Sequence, residues 1–290
     1  MGFWAKLLRL DRRYVFILVA LGVIIPLIAP LNLPVEVSQP VRRLFQAIDK
    51  LPPGGRPILM SVDYDPSTVP ELGPMTVAVL HHCFKKKVPA VVLTLHPAGS
   101  GLARDALDTV AESYPGAKYG ADYAFLGYTA GAGMVILGIG EDFHNTIPMD
   151  AFGTPTKDLP VLKNVKNYED IEMVIDYTGS SLYEGWIMYA HQRYGCKVGA
   201  GVTAVMASDA YPYLDSGQLV GLLGGLSGAA EYERLLNMPG DATVGMDAQS
   251  IVHVLIIVLI ILGNIAYFVS RKSERLGHGI EKQQQGGSAQ

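Results

Sequence analysis

Two apolar runs bracket this chain and constrain its fold more than any other feature. Residues 14–31 (18 positions) and 251–269 (19 positions) are almost purely apolar, and 219 residues lie between them. A helix rises about 1.5 Å per residue and needs about 20 residues to cross a hydrocarbon core of about 30 Å. Each run therefore reads as a transmembrane helix. In the second run the polar interruptions are His253 and Asn264, and Tyr267 and Phe268 stand where an interfacial aromatic belt belongs. The first carries Pro26 and Pro30, which kink or end a helix. It competes with a secretory signal, but it exceeds the usual apolar length of about 7–15 residues, and Asn32-Leu33-Pro34-Val35 offers no small-x-small cleavage site. An uncleaved anchor is expected.

Lysine and arginine near the spans set the orientation, because positive flanks stay in the cytoplasm. The outer flanks carry Lys6, Arg9, Arg12, Arg13, Arg271, Lys272, Arg275 and Lys282, against Arg42, Arg43, Lys50 and Arg234 on the inner flanks. Eight against four favours both termini inside and the middle outside, with a cytoplasmic middle as the alternative. The expected organisation is a cytoplasmic tail (1–13), a first span (14–31), a linker with a short amphipathic helix (32–56), an extracytoplasmic α/β domain (57–240), a second span (251–269) and a partly disordered cytoplasmic tail (270–290). A formal charge of −4 provides no basic field for nucleic acid, and two cysteines build no disulfide framework. Cys83 and Cys196 either pair in an oxidising compartment or stay buried as free thiols.

Within the middle, continuous apolar runs bounded by turn residues read as strands buried on both faces. They cover 58–62, 90–95, 123–128, 173–177 and 198–206, with helical stretches at 75–87, 101–114, 181–194 and 216–237. Residues 134–140 fit a sixth strand or a short helix, and 141–166, with three prolines, is an excursion. Strand and helix in alternation imply right-handed crossovers and a Rossmann-like three-layer α/β domain with a mostly parallel sheet. In the linker, Val41, Leu44, Phe45, Ile48 and Leu51 share one helical face, which lies on the domain or on the membrane. Lys85, Lys86 and Lys87 complement a helix end and are expected to be solvated.

Ligands of an open parallel sheet bind beyond the carboxyl ends of its strands. There the chain places Asp63 and Asp65, then Thr94 and His96 followed by Gly99, Ser100 and Gly101, and Asp176 followed by Thr178, Gly179, Ser180 and Ser181. Asp63, Asp65, His96 and Asp176 are the candidates for catalysis. Thr94 and the two glycine-serine loops can offer N–H groups to an anion, although the same residues also make ordinary turns. The histidine spacings match no compact ligand set, so no metal site is expected, and no cofactor is identifiable. Walker, Gly-x-Ser-x-Gly and Cys-x-x-Cys motifs are absent from the sequence.

Asp63-Tyr64-Asp65 after a buried strand resembles the opening motif of the haloacid-dehalogenase-like phosphatases. That resemblance implies Asp63 as nucleophile, Asp65 as general acid, Mg²⁺ beside them, and Thr94 as the second motif. It covers only those residues, and the family's lysine and late acidic pair have no counterpart. The alternative is that either aspartate caps a turn.

Gly217, Gly221, Gly224, Gly225 and Gly228 fall on one face if residues 216–237 are helical. Glycine costs a helix interior up to about 1 kcal/mol relative to alanine, so five of them imply close approach of another backbone. The partner is the sheet, another helix or a second subunit. The expected function is therefore a membrane-anchored binding or scaffold subunit, with the lipid bilayer and other membrane subunits or a second copy as partners. The alternative is a tethered enzyme acting on a small anionic or phosphorylated substrate.

Overall fold

The computed structural model describes residues 11–286. Lys6, Arg9 and the end of the C-terminal tail (287–290) lie outside the described residues. The chain forms two compact units, one of Leu33–Thr243 and one made of the terminal segments that end at Asn32 and begin at Val244.

The terminal unit holds α1 (Arg12–Ile28) and the apolar part of a helix that starts in the domain, α10 (Asp241–Gly286). Gly22 of α1 faces Ile251, Val252 and Leu255, where an added Cβ would make ordinary 3.6 Å contacts. Among the described residues one helix, Asp241–Val269, is long and apolar enough to cross a membrane, and only 6% of its most apolar window is buried. The expected first span falls short of that length. Its helix has 17 residues, because Pro30 pushes Ala29 out of helical geometry. Helix α10 runs on as far as Gly286, in keeping with the good helix formers Glu281, Lys282 and Gln283.

The domain is built on six parallel strands: β1 (Ile58–Asp63), β2 (Ala90–Thr94), β3 (Tyr123–Tyr128), β4 (Met173–Thr178), β5 (Lys197–Val202) and β6 (Gly221–Gly224). Their order is β3-β2-β1-β4-β5-β6, so the direction of winding reverses between β1 and β4. The connecting helices are α2 (Gln39–Asp49), α3 (Val69–Lys86), α4 (Gly99–Glu112), α5 (Ala132–Glu141), the short α6 (Phe143–Thr146), α7 (Leu182–Trp186, continuing through a π turn to Tyr194), α8 (Ala207–Asp215) and α9 (Gly225–Leu236). Residues 134–140 are thus helical. The 141–166 excursion returns to the core, where Phe143, Ile147, Leu159, Leu162 and Val165 are buried beside the β3 side of the sheet.

Two expectations need correction. The run 198–206 is not one strand: β5 ends at Val202, and Met206 and Ala207 donate their N–H groups to the Thr203 carbonyl to start α8. Nor is 216–237 one helix with a glycine face. Gly217 (φ +78°) and Gly225 (φ +60°) adopt left-handed backbone that no continuous helix contains, and Gly221–Gly224 between them is the edge strand β6. Four of the glycines accommodate this chain's own neighbours. A Cβ on Gly221 would sit 2.5 Å from the Leu44 nitrogen, and one on Gly199 would sit 2.7 Å from Leu44 Cδ1. Gly225 faces Ala204, Gly224 faces Ala207, and Gly228 faces the Leu223 backbone. Helix α2 therefore lies on β5 and β6 with Val41, Leu44 and Ile48 buried. Cys83 and Cys196 are both buried and free.

Candidate functional site

The reversal between β1 and β4 is the switch point at which open parallel sheets generally bind ligands. Parallel pairing aligns Ser61 with Asp176 and Asp63 with Thr178, which gathers polar groups from two strands at that point. Asp63 is 4% exposed and accepts hydrogen bonds from Ser61 Oγ and from the Leu95 N–H, while Thr94 Oγ1, whose proton goes to the His96 carbonyl, lies 3.4 Å away. Asp176 is fully buried, and among the described residues no N–H or O–H group donates to either of its oxygens. Its close polar neighbour is Asp63.

Burial raises the pKa of both acids, Asp176 well above the usual carboxylate range, and the adjacent Asp63 charge raises Asp176 further. Asp63 has donors from Ser61 and Leu95 in place whereas Asp176 has none, so the charged form is better accommodated on Asp63.

The other candidates are arranged around this pair. Asp65 is half-buried and closes a turn by accepting from Ser67 N (2.8 Å) and Ser67 Oγ (2.6 Å). The Ser67 hydroxyl in particular holds the Asp65 carboxyl below its usual range. Thr94 Oγ1 donates to the His96 carbonyl and accepts the His96 N–H, which fixes the β2–α4 loop; His96 Nδ1 has no partner among the described residues. Gly99 lets α4 start against that loop, since a Cβ there would meet Thr94 Oγ1 at 2.5 Å. Thr178 and Ser180 exchange a 2.9 Å hydroxyl contact, and Gly179 packs beside Thr68. The Ser181 carbonyl accepts the Glu184 N–H at the start of α7.

Ser100 lies apart from the acid pair. It borders an open groove of about 430 Å³ formed with Gly127, Tyr128, Thr129 and the 148–151 segment. An added Cβ at Gly101 meets nothing within 4 Å. Among the described residues no three histidine, cysteine, aspartate or glutamate side chains are grouped as metal ligands.

Sequence reasoning missed a second arrangement, on α9. Glu231 is buried and accepts from Ser38 N (2.8 Å), Ser38 Oγ (2.5 Å) and Ser227 Oγ (3.1 Å). Two residues on, the buried Glu233 accepts from Gly240 N (2.9 Å), Ala242 N (3.1 Å), Thr243 N (2.8 Å) and Thr243 Oγ1 (2.6 Å). Arg234 of the same helix donates to the Val35 carbonyl. One helix thus fastens both ends of the domain: the segment entering α2, and the first turn of α10, whose N–H groups have no intrahelical partner. The available signal was the Glu-x-Glu at 231–233 in an otherwise apolar stretch.

Comparison with protein-family models, with curated proteins and with solved structures returned no match for this chain.

Proposed function

We propose that this chain is a two-pass, membrane-anchored binding or scaffold subunit. Its α/β domain lies outside the cytoplasm, and it assembles with other membrane subunits or with further copies of itself. The observation that carries this reading is the α9 clamp, in which Glu231 and Glu233 hold the two points where the chain enters and leaves the domain. A domain delivering only a tethered active site needs no such fixation, whereas a scaffold needs a defined presentation. The eight basic residues of the outer flanks against four on the inner flanks support the orientation, and the packing of α1 on α10 at Gly22 supports a paired anchor.

Single cysteines introduced at exposed Lys118 and at Arg271 test the topology, with the native thiols buried. Labelling of intact cells by a membrane-impermeant maleimide is expected at position 118 and absent at 271. Labelling at 271 alone would place the domain in the cytoplasm, and recovery of the chain in an alkaline wash of the membranes would remove the anchor.

The buried neighbouring carboxyl groups of Asp63 and Asp176 favour one second reading, a tethered acid–base enzyme working at the strand reversal. Asp63→Asn and Asp176→Asn separate the two readings: an enzyme loses its cellular function with either, and a scaffold that still folds keeps it.

A further inference from the structure

At the opposite, amino edge of the sheet lies a pocket of about 490 Å³ that no part of the strand-reversal site or the α9 clamp uses. It opens between the end of α3, the turn after α4 and the residue preceding β3. Phe84 and Tyr114 form its wall, with ring centroids 5.4 Å apart, and Tyr123 backs Phe84 at 5.2 Å. The Tyr114 hydroxyl is tied to His81, through its carbonyl and Nδ1, both at 3.3 Å, so the wall is held in place before any ligand arrives.

Two charges of opposite sign line this pocket. Lys87 caps α3 in left-handed backbone (φ +56°), and Asp122 precedes β3. The preceding lysines are engaged elsewhere, Lys85 with the Leu236 carbonyl at 3.3 Å and Lys86 with Asp49 at 3.3 Å. Among the described residues Lys87 makes no ion pair. Asp122 accepts the Lys118 N–H through Oδ2 (2.8 Å), which orients its carboxylate. Lys87 and Asp122 both line the pocket, and among the described residues they form no ion pair with each other.

A concave site of several hundred Å³ with an aromatic wall and a few convergent polar groups is the usual form of a small-molecule site. A cation and an anion held apart beside such a wall fit a ligand that carries both charges and an apolar body. We propose that this pocket binds a free α-amino acid with an aromatic or large apolar side chain. Its carboxylate pairs with Lys87, its ammonium with Asp122, and its side chain lies on Tyr114 and Phe84.

The test is calorimetric titration of the full-length protein in detergent with L-phenylalanine and L-leucine, and with two single-charge analogues, phenethylamine and 3-phenylpropionate. One amino acid per chain is expected, with each analogue at least about tenfold weaker because it forfeits one charge-assisted contact. Lys87→Gln and Asp122→Asn are each expected to weaken L-phenylalanine by about tenfold or more while leaving the ligand-free melting temperature unchanged. Asparagine keeps an acceptor for the Lys118 N–H, and Lys87 contributes no ion pair to the fold. Absence of heat with both amino acids at millimolar concentration would overturn the proposal. So would an analogue that binds as tightly as L-phenylalanine, or full affinity in both variants. The ligand series on the unaltered protein decides the matter even if a variant fails to fold.

Discussion

Two pairs of carboxyl groups are buried in the α/β domain, and they differ in what faces them. Glu231 and Glu233 look outward from α9 onto seven donors drawn from separate stretches of chain. Asp63 and Asp176 look at each other across two neighbouring strands, with donors gathered on Asp63 alone. A buried carboxylate is tolerated where hydrogen bonds replace its hydration, and a like-charged neighbour forces one acid to keep its proton. The glutamates are thus committed to holding chain ends. The aspartates sit where the strand order reverses, with burial raising the pKa of both.

The glutamate side of this contrast carries the largest expected effect. Glu233→Ala leaves three backbone N–H groups without their acceptor and should lower the unfolding free energy by about 3–4 kcal/mol. Denaturant unfolding of the full-length protein, followed by the fluorescence of buried Trp186, measures it. A loss under about 1 kcal/mol would mean the clamp is incidental. Next comes Gly221→Ala, which drives a methyl group into the Leu44 backbone and should cost about 2–3 kcal/mol by lifting α2, the helix whose start Glu231 holds.

Asp176→Asn sharpens the aspartate side. Asparagine is nearly isosteric with the protonated acid, so stability near pH 4 should change by less than about 1 kcal/mol. Its pH dependence should change more clearly. Because folding raises the Asp176 pKa, its stabilising contribution is fully present below the unfolded value of 3.8 and is lost as pH rises through the raised folded value. Unfolding curves at several pH values between 4 and 8 should show the unaltered protein losing stability relative to the variant as pH rises. Parallel curves would show that folding does not raise the Asp176 pKa. The smallest effect, of opposite sign, is expected at Gly101, where alanine meets open space within α4 and should stabilise by about 0.5–1 kcal/mol.

Much of this fold was legible before the structure. Strands buried on both faces read as unbroken apolar runs, which is why β1 to β4 stand within a residue of their expected limits. Strand β6 was not legible, because Gly221-Leu222-Leu223-Gly224 has no β-branched residue and its glycines mimic a helical spacing. Helix α8 was masked by the apolar run continuing past Val202 and by Pro212 inside it. The acids Asp63 and Asp176 were visible as strand-end residues. Their pairing was not, since it depends on β4 lying beside β1, and periodicity says nothing of strand order. Glu231 and Glu233 were missed because glutamates in an alanine-rich helix ordinarily mark a solvated face.

Glu231 and Glu233 hold both chain ends of the domain, and the proposed scaffold role rests on that fixation. Native mass spectrometry of the protein extracted gently in detergent from its own membrane tests this most directly. The account predicts masses of several copies, or of one copy with other polypeptides, and predicts that Glu233→Ala shifts the distribution toward the single chain. A lone chain of 31.2 kDa, unchanged by that substitution, would contradict it.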